Sequence, residues 1–598
     1  MSELLFYFVR NSSRIKALLF FVYLQPIKLE IRSSFMGKLK AILLLLVTSC
    51  IIVFFSFKED LFLVSKNMDI FASLYKEVSI NYVEDTDPAD LMRSGIDSML
   101  EGLDPYTEYI PESEIEDYKL KYVSTQYGGI GAGTVVIDRK LYISEVLERN
   151  PANRQDVRPG DLIVSINDIA TFGKDRSQIS QLLRGPKGSS VKLKLDRDGM
   201  FLEKVIVREE IRQTNVSYSG MLDKQIGYIK LDKFLENSGQ EVKDALVALN
   251  KQQPKGLILD LRNNGGGILQ EAVKIVNLFV EENILLVVQK GRNPAKTLSY
   301  KSVVKPIALS LPLIVLINGS SASASEIVAG ALQDLDRAVI IGQRSYGKGL
   351  VQQTFNLPYN SLVKITVAKY YTPSGRCIQA VDYAHKDQNG TAEKFADSVM
   401  KAFLTKGGRT VYNGNGIYPD LLVAPTSYST ITQTLLANNL FFYYANQYKA
   451  KHREIGDVKG FQLNDSDYQS FLASIKGRDY KYISNTEKLL ARLGIEAKKE
   501  NRLADVKEDL DNLSEKLLIS KNRELDNHKQ EVKKVLETQI VGRYYFDKGK
   551  IEQAFQYDQE VKQARDLFLT SSKIAEILGG EGTYKTIGTP QKISIGKD

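Results

Sequence analysis

Predicted strands and helices alternate from residue 213 to about residue 380, and this alternation constrains the fold more than any other feature of the sequence. Short apolar runs predict the strands, and segments whose apolar residues recur every three to four positions predict the helices. The predicted strands cover residues 226–230, 256–261, 285–288, 313–317, 338–341 and 363–368, and the predicted helices cover 241–249, 271–279 and 324–335. This order is typical of an α/β core, which we place at residues 213–425.

The chain has 598 residues, enough for several domains around this core. Residues 126–212 predict a small β-rich domain, because short apolar strands alternate there with glycine- and proline-containing turns and one short helix. Residues 65–125 and 426–577 predict helical segments, and the Gly/Thr/Lys-rich residues 578–598 predict a flexible tail. The expected fold class is multidomain α/β (α+β): an α/β core with an inserted small β-rich domain, an N-terminal helical segment and a C-terminal helical extension.

The C-terminal extension leaves two interpretations open. Its residues 484–539 are rich in Lys, Glu, Asp and Leu, and apolar residues recur there over long stretches. The segment fits either a solvated helical appendage or a coiled-coil arm that binds a partner.

Residues 1–64 predict a signal or membrane-anchor region. Residues 41–57 are apolar and uncharged, with lysines before them and acidic residues soon after, as in a signal peptide or signal anchor. The run is at the lower limit for a membrane span, so a cleaved signal, a retained anchor and a buried helix all stay open. Met36 is an alternative start to Met1, and Cys50 is a candidate lipidation site. We expect the rest of the chain to lie in the periplasm or another extracytoplasmic compartment, with the N-terminal segment contacting the membrane.

Charge and cysteine content exclude several classes of function. The net charge of +8 is mild, much of it lies before residue 41, and no basic stripe is interleaved with aromatics, which argues against nucleic-acid binding. The two cysteines, Cys50 and Cys377, are too few for a disulfide framework or a zinc site. No metal or organic cofactor is expected.

A serine cluster follows the predicted strand at 313–317 and leads into the helix at 324–335. A serine at such a junction can be a nucleophile, because backbone N–H groups of the helix lie close to its hydroxyl. Simple capping of the helix explains the same residues, since serine is a preferred cap. The chain has 3 histidines, all after residue 384, so a histidine base is not expected for this serine.

Lys348 is the candidate base, and it stands between Gly347 and Gly349. A lysine acts as a base only when neutral, so its pKa of ~10.4 must fall by about 2–3 units, which burial can cause. No acidic residue lies between Asp336 and Lys348 to form a local ion pair. A lysine in an exposed loop is the alternative.

A glycine-rich turn at residues 260–267 follows the predicted strand at 256–261. Its free N–H groups can bind an anion. No Gly-Lys-Ser/Thr sequence follows, so a phosphate-binding loop is poorly supported and a donor to an oxyanion fits better.

Together these motifs resemble the carboxyl-terminal processing peptidases, or tail-specific proteases. The resemblance spans about residues 65–425, and the matching segments occur in the family's order. They are Leu103-Asp104-Pro105-Tyr106-Thr107, the turn at 260–267, Ser321-Ala322-Ser323-Ala324-Ser325-Glu326-Ile327, Gly347-Lys348-Gly349, Val351-Gln352-Gln353 and Lys369-Tyr370-Tyr371-Thr372-Pro373-Ser374-Gly375-Arg376. The small β-rich domain is similar to the family's inserted PDZ domain.

The resemblance implies a serine endopeptidase with a Ser–Lys dyad. Ser323 would be the nucleophile and Lys348 the base, with Gln352, one helical-turn spacing further on, orienting the lysine. Ser321 and Ser325 would have structural roles.

It also implies an oxyanion hole made of two backbone N–H groups. One would belong to Ala324. The other would belong to a glycine of the 260–267 turn, with Gly267 favoured over Gly266.

The implied PDZ domain gives the enzyme a means of choosing substrates. Its glycine loop, Gly128, Gly129, Ile130, Gly131 and Ala132, would bind the C-terminal carboxylate of a substrate protein with an apolar tail. An inactive PDZ scaffold that binds tails without cutting them stays open, as does a core that acts on small acyl substrates. A homo-oligomer also stays open.

Overall fold

The computed structural model describes residues 62–124, 126–387, 390–478 and 482–588. The predicted apolar segment 41–57, Met36 and Cys50 lie outside these ranges. Within them, no helix is long and apolar enough to cross a membrane.

The N-terminal segment is helical only in part. Its helices are α1 (residues 62–81) and α2 (Pro88–Glu101), and α2 begins where the Asp87 carboxylate accepts a hydrogen bond from Ala89 N at 2.7 Å. The chain then turns and forms strand β1 (Glu108–Ile110) before helix α3 (Ile115–Tyr122). The prediction of a mostly helical segment at 65–125 therefore missed β1.

The small β-rich domain follows, with the predicted strands and helix. The alternation of buried Val191, Leu193 and Leu195 with more exposed lysines explains its longest strands. Its elements are β2 (Gln126–Gly129), β3 (Ala132–Ile137), β4 (Lys140–Val146), α4 (Pro151–Arg154), β5 (Leu162–Ile166), β6 (Ile169–Ala170), α5 (Arg176–Leu183), β7 (Ser190–Arg197), β8 (Met200–Val207) and β9 (Glu209–Arg212). The main sheet has the order β3-β4-β5-β7-β8, with β3 at one edge, and β2 pairs with β9.

The α/β core is built on a six-stranded sheet. The helices and strands of residues 213–425 are β10 (Val216–Met221), β11 (Ile226–Leu231), α6 (Ser238–Asn250), β12 (Gly256–Asp260), α7 (Leu269–Asn277), β13 (Leu285–Gly291), β14 (Leu298–Lys301), β15 (Leu313–Ile317), α8 (Ala324–Asp334), β16 (Val339–Gly342), β17 (Leu350–Leu357), β18 (Ser361–Tyr371), β19 (Val381–Lys386), β20 (Ala392–Lys394), β21 (Ala402–Leu404), β22 (Thr410–Tyr412) and β23 (Leu421–Leu422). The strand order is β10-β11-β12-β15-β16-β23, and neighbours from β11 onward are parallel. A second sheet joins β1, β18, β13 and β14, with β17 paired to β18.

Adjacent strands β12, β15 and β16 position the candidate site. Because they are parallel, their carboxyl ends lie at the same edge of the sheet. The glycine-rich turn leaves β12, the serine cluster leaves β15, and the loop to Lys348 leaves β16.

Helices cover both faces of this sheet. The first face packs against α6, α7 and α8. Its second face, which includes Tyr228, Ile258 and Leu316, packs against helices near the end of the chain. Parallel strands are normally buried on both sides, and Leu313–Ile317 is accordingly apolar throughout and fully buried.

The C-terminal extension is a helical domain with its own apolar core. Its helices are α9 (Thr430–Ala437), α10 (Leu440–Lys451), α11 (Asp465–Ile475), α12 (Asn485–Lys499), α13 (Leu503–Asn522), α14 (Glu524–Asn527), α15 (Lys529–Ala554), α16 (Gln559–Leu569) and α17 (Ser571–Gly579). Largely exposed α12 and α13 fit a solvated appendage. In contrast, α16 and α17 cover the second face of the central sheet, so the extension as a whole is not an appendage.

The predicted flexible tail is wrong for residues 578–588. Thr586 pairs with Thr410, and Ile587 N donates to the Thr410 carbonyl at 2.8 Å. The Ile587 side chain is buried, which explains why this segment packs against the core.

Candidate active site

The predicted nucleophile lies at a strained turn between β15 and α8. Ser323 caps the N-terminus of α8 with φ 55° and ψ −112°, which is rare for a residue with a side chain. Its carbonyl accepts hydrogen bonds from Ile327 N, at 2.9 Å, and from the Tyr370 hydroxyl, at 3.1 Å. A strained serine at a strand-to-helix junction is typical of a nucleophile.

The serines on either side of Ser323 hold the turn in place. Ser321 Oγ donates to the Leu261 carbonyl and Ser325 Oγ donates to the Asn264 carbonyl, both at 2.8 Å. Both serines are fully buried. These bonds join the serine turn to the glycine-rich turn and give both residues the structural role that the resemblance implies.

Gly266 packs directly against the serine turn. Its φ is +93°, and a Cβ at this position would lie 2.6 Å from the Ala322 carbonyl oxygen and 2.8 Å from Ala324 N. Only glycine fits such a position. Ala322 N donates to the Asn264 carbonyl at 3.0 Å, so the backbones of the two turns are also hydrogen-bonded.

Two backbone N–H groups here are candidates for an oxyanion hole. Gly266 N is not one of them, because it donates to Asn264 Oδ1 at 2.9 Å. Within the described ranges, no acceptor binds Ala324 N or Gly267 N. The choice of Gly267 over Gly266 stays a prediction, and this hydrogen bond favours it.

Lys348 lies half-buried in the loop after β16. Its ammonium is 4.1 Å from the centre of the Tyr106 ring, and it forms no ion pair with any described residue. Burial, and to a smaller extent the positive charge of Lys364, lower the pKa of Lys348 to about 8. The pKa therefore moves in the direction that a lysine base requires.

A buried carboxylate joins the serine turn to the lysine loop. Glu326 Oε2 accepts from Ser323 N at 2.8 Å and from Lys348 N at 2.9 Å, while Oε1 accepts from Ser345 Oγ at 2.5 Å and Gly347 N at 2.7 Å. Burial raises the pKa of the Glu326 carboxyl, and these four donors oppose that rise. One carboxylate oxygen thus lies within 3 Å of both candidate dyad residues' backbones.

The side chains of the two residues are not hydrogen-bonded to each other in the described structure. The lysine ammonium contacts Tyr106 instead. Catalytic hydrogen bonds often form only when substrate is bound, so this arrangement does not exclude a dyad.

Three regions of the chain match known families. Residues 225–385 match peptidase family S41, residues 142–197 match a PDZ domain, and residues 431–568 match the C-terminal helical domain of probable PDZ-proteases. A carboxy-terminal-processing protease of Bartonella bacilliformis is 33% identical over 322 residues, which are 53% of this chain and 73% of that protein. The chain belongs to peptidase family S41.

Two further proteins are similar to this S41 protease. A probable CtpA-like serine protease of Staphylococcus haemolyticus is 28% identical over 415 residues, which are 69% of this chain and 76% of that protein. A solved structure, the photosystem II D1 C-terminal processing protease, is 27% identical with a TM-score of 0.32, over 51% of this chain and 82% of that one. The family identifies this protein as a serine-type endopeptidase.

The four-residue spacing suggested that Gln352 lies one helical turn after Lys348. Gln352 lies instead in strand β17. Its Nε2 donates to Thr366 Oγ1 on β18 at 3.1 Å. The apolar periodicity around residue 352 was too weak to predict β17. The role of Gln352 in orienting Lys348 stays a prediction.

Sequence reasoning missed two residues that the structure brings to the site. Glu326 stands three residues after Ser323, which is the spacing of a capping box and could have been recognised. Tyr106 was noted only as part of a family motif. Asp104 places it, because Asp104 Oδ1 accepts from Tyr106 N at 2.9 Å and from Thr107 N at 3.0 Å.

The PDZ glycine segment is shorter than predicted. Gly128 and Gly129 belong to β2 and pair with β9, and Ala132 begins β3. The loop itself is therefore Ile130–Gly131, next to the edge strand β3.

We expect Glu326→Gln to destabilise the protein by roughly 3 kcal/mol, because the amide replaces one acceptor oxygen with a donor and loses two hydrogen bonds to a charged group. Urea unfolding followed by circular dichroism measures this change. Exposed Glu236 is the matched control, and Glu236→Gln should change stability by less than about 0.5 kcal/mol. Equal stability of the two variants would contradict the role of Glu326.

Proposed function

We propose that this S41 protease cleaves peptide bonds with a Ser323–Lys348 dyad. The observation that carries the proposal is the Glu326 carboxylate, which holds the backbones of both residues. Neutral Lys348 accepts the Ser323 proton as the serine oxygen attacks the substrate carbonyl. The N–H groups of Ala324 and Gly267 stabilise the oxyanion, the lysine protonates the leaving amine, and water hydrolyses the acyl-enzyme.

The lowered pKa makes this base available near neutral pH. With a pKa of about 8, roughly 10% of Lys348 is neutral at pH 7, against less than about 0.1% for an ordinary lysine. Burial of the site thus replaces the histidine that other serine proteases use.

The PDZ domain supports recognition of substrate C-termini. Among the described strands, β3 has a partner on one side only, so a substrate tail can add to its other side as a further strand. The Ile130–Gly131 loop precedes this edge and would bind the tail's carboxylate through backbone N–H groups. The tail's apolar C-terminal side chain would enter an apolar pocket beside this edge.

We also propose that the enzyme acts outside the cytoplasm, with residues 41–57 directing it to or holding it at the cytoplasmic membrane. The support is the basic–apolar–acidic order of that segment. Cell fractionation and N-terminal sequencing of the mature protein test this part of the proposal.

Replacing either dyad residue should abolish cleavage. We expect Ser323→Ala and Lys348→Ala each to lower kcat by at least about a thousandfold on a peptide with a free apolar C-terminus, because each removes a group that reacts directly. Exposed Ser320 is the matched control, and Ser320→Ala should cleave like the parent. Parent-like activity of the two dyad variants would refute the mechanism, and tail binding without cleavage by the parent would favour a scaffold.

The pH profile should report the Lys348 pKa. In the parent, kcat/KM should rise with pH through about 8, since only neutral lysine is active. Lys364→Met removes a positive charge that lowers this pKa, so the rising limb should move to higher pH. Exposed Lys243 provides a control, and Lys243→Met should leave the limb in place. A limb that stays put or moves to lower pH in Lys364→Met would exclude Lys348 as the group observed.

Tail binding should depend on the PDZ loop. Gly131 has φ +73°, and a Cβ there would lie 2.3 Å from Asn150 Cβ, whereas Gly199 has φ +87° and open space. Both Gly→Ala variants carry a similar backbone strain of about 1–2 kcal/mol, but only Gly131→Ala displaces the loop. We expect Gly131→Ala alone to weaken binding of a fluorescent free-carboxylate peptide about tenfold or more, as measured by anisotropy. Equal binding by the two variants would place the tail elsewhere.

A further inference from the structure

The start of helix α16 contacts the glycine-rich turn and the first residue of the loop that leads to Lys348. Asp558 precedes α16 and caps it, accepting a hydrogen bond from Val561 N at 3.0 Å. Asp558 and Glu560 both contact Arg262, which lies in the glycine-rich turn two residues after the end of β12. Helix α16 belongs to the C-terminal domain, which the proposed reaction does not otherwise use.

All three guanidinium nitrogens of Arg262 take part in these contacts. Its Nε and Nη2 bind Asp260 at 3.0 and 2.7 Å. Its Nη1 and Nη2 bind Asp558 at 3.0 and 2.7 Å, and Nη1 lies 3.2 Å from Glu560. The Arg262 side chain is only 14% exposed, so solvent screens these ion pairs weakly.

The Arg262 backbone is fixed as well. Its carbonyl accepts a hydrogen bond from Lys230 Nζ at 3.2 Å, and its N–H donates to Asp260 Oδ1 at 2.9 Å. Asn264 and Gly267 follow Arg262 in the same turn. A shift of Arg262 would therefore displace the turn that carries the proposed Gly267 donor.

Glu560 also contacts the base of the lysine loop. Its Oε1 accepts from Gln343 Nε2 at 2.9 Å, and Gln343 N donates to the Ile317 carbonyl at 3.1 Å. Gln343 directly follows β16 and begins the segment that leads to Lys348. A single carboxylate of α16 thus joins the roots of both turns.

We infer that Asp558 and Glu560 are positioning residues, through which the C-terminal helical domain sets the geometry of the glycine-rich turn and the lysine loop. The inference rests on the proposed Ser–Lys mechanism. This positioning role differs from a role in stability alone. The apolar side of α16, with Val561, Ala564 and Leu567, already attaches the helix to the sheet.

A double variant that removes both negative charges, Asp558→Asn with Glu560→Gln, tests this inference in the full chain. Asparagine is as good a helix cap as aspartate, and both changes keep side-chain size, so α16 should remain folded. Asp566 lies exposed on the same helix, so Asp566→Asn is the matched control.

We expect the double variant to lower kcat about tenfold to hundredfold with KM changed less than about twofold, since misplaced oxyanion donors weaken binding of the transition state only. A peptide aldehyde, which forms a tetrahedral adduct, should lose affinity by a similar factor. Hydrogen–deuterium exchange of the peptide spanning residues 261–268 should accelerate, while the control matches the parent in all three measurements.

Unchanged kcat and unchanged exchange in the double variant would overturn the inference, as would a lower melting temperature with kcat intact. If the parent itself does not cleave, or Ser323→Ala cleaves equally well, the proposed mechanism fails. The exchange measurement still tests the inference in that case. Unchanged exchange of residues 261–268 would show that Asp558 and Glu560 do not hold the glycine-rich turn.

Discussion

The active-site region depends on the buried carboxylate of Glu326. A carboxylate in the protein interior is strongly destabilised unless its oxygens are hydrogen-bonded, and here four donors satisfy them. The donors come from the serine turn and from the lysine loop, two segments that follow different strands. If either segment moved, a buried charge would lose partners, so the two move together or not at all.

The charge state of Lys348 depends on burial and Lys364, which favour the neutral amine, and on the Tyr106 ring, which favours the cation. A fall in pKa from 10.5 to about 8 corresponds to about 3 kcal/mol in favour of the neutral form. Contact with the Tyr106 ring favours the cation by about 0.5–2 kcal/mol. Burial and Lys364 therefore outweigh the ring, and they do so without an ion pair to Lys348. The burial that lowers this pKa thus favours the neutral form that the proposed base requires.

The sequence was most informative where one local pattern determines the structure. Leu313–Ile317 could be predicted as a strand because burial on both faces requires a continuous apolar run. Ser323 could be selected only through the family motif, since local patterns allow any serine of the cluster to cap the helix. The four bonds of Glu326 depend on a loop that returns from the neighbouring strand, which no local pattern contains.

The C-terminal domain shows the limit of such prediction in another way. The apolar residues Val561, Ala564 and Leu567 recur at helical spacing, so helix α16 itself was predictable. The sequence does not say which surface they cover, because the second face of the sheet exists only after its strands have paired.

That domain also contacts the PDZ domain, but differently. The Tyr142 and Tyr443 rings meet edge to face with centroids 6.1 Å apart, and Asn446 lies against Gly160. An aromatic pair of this kind contributes about 0.5–1.5 kcal/mol, and these residues are only partly buried. In contrast, α16 is attached to the sheet by buried apolar side chains and ion pairs. Among these contacts, those with the PDZ domain are the weaker ones, whereas buried ion pairs join α16 to the glycine-rich turn.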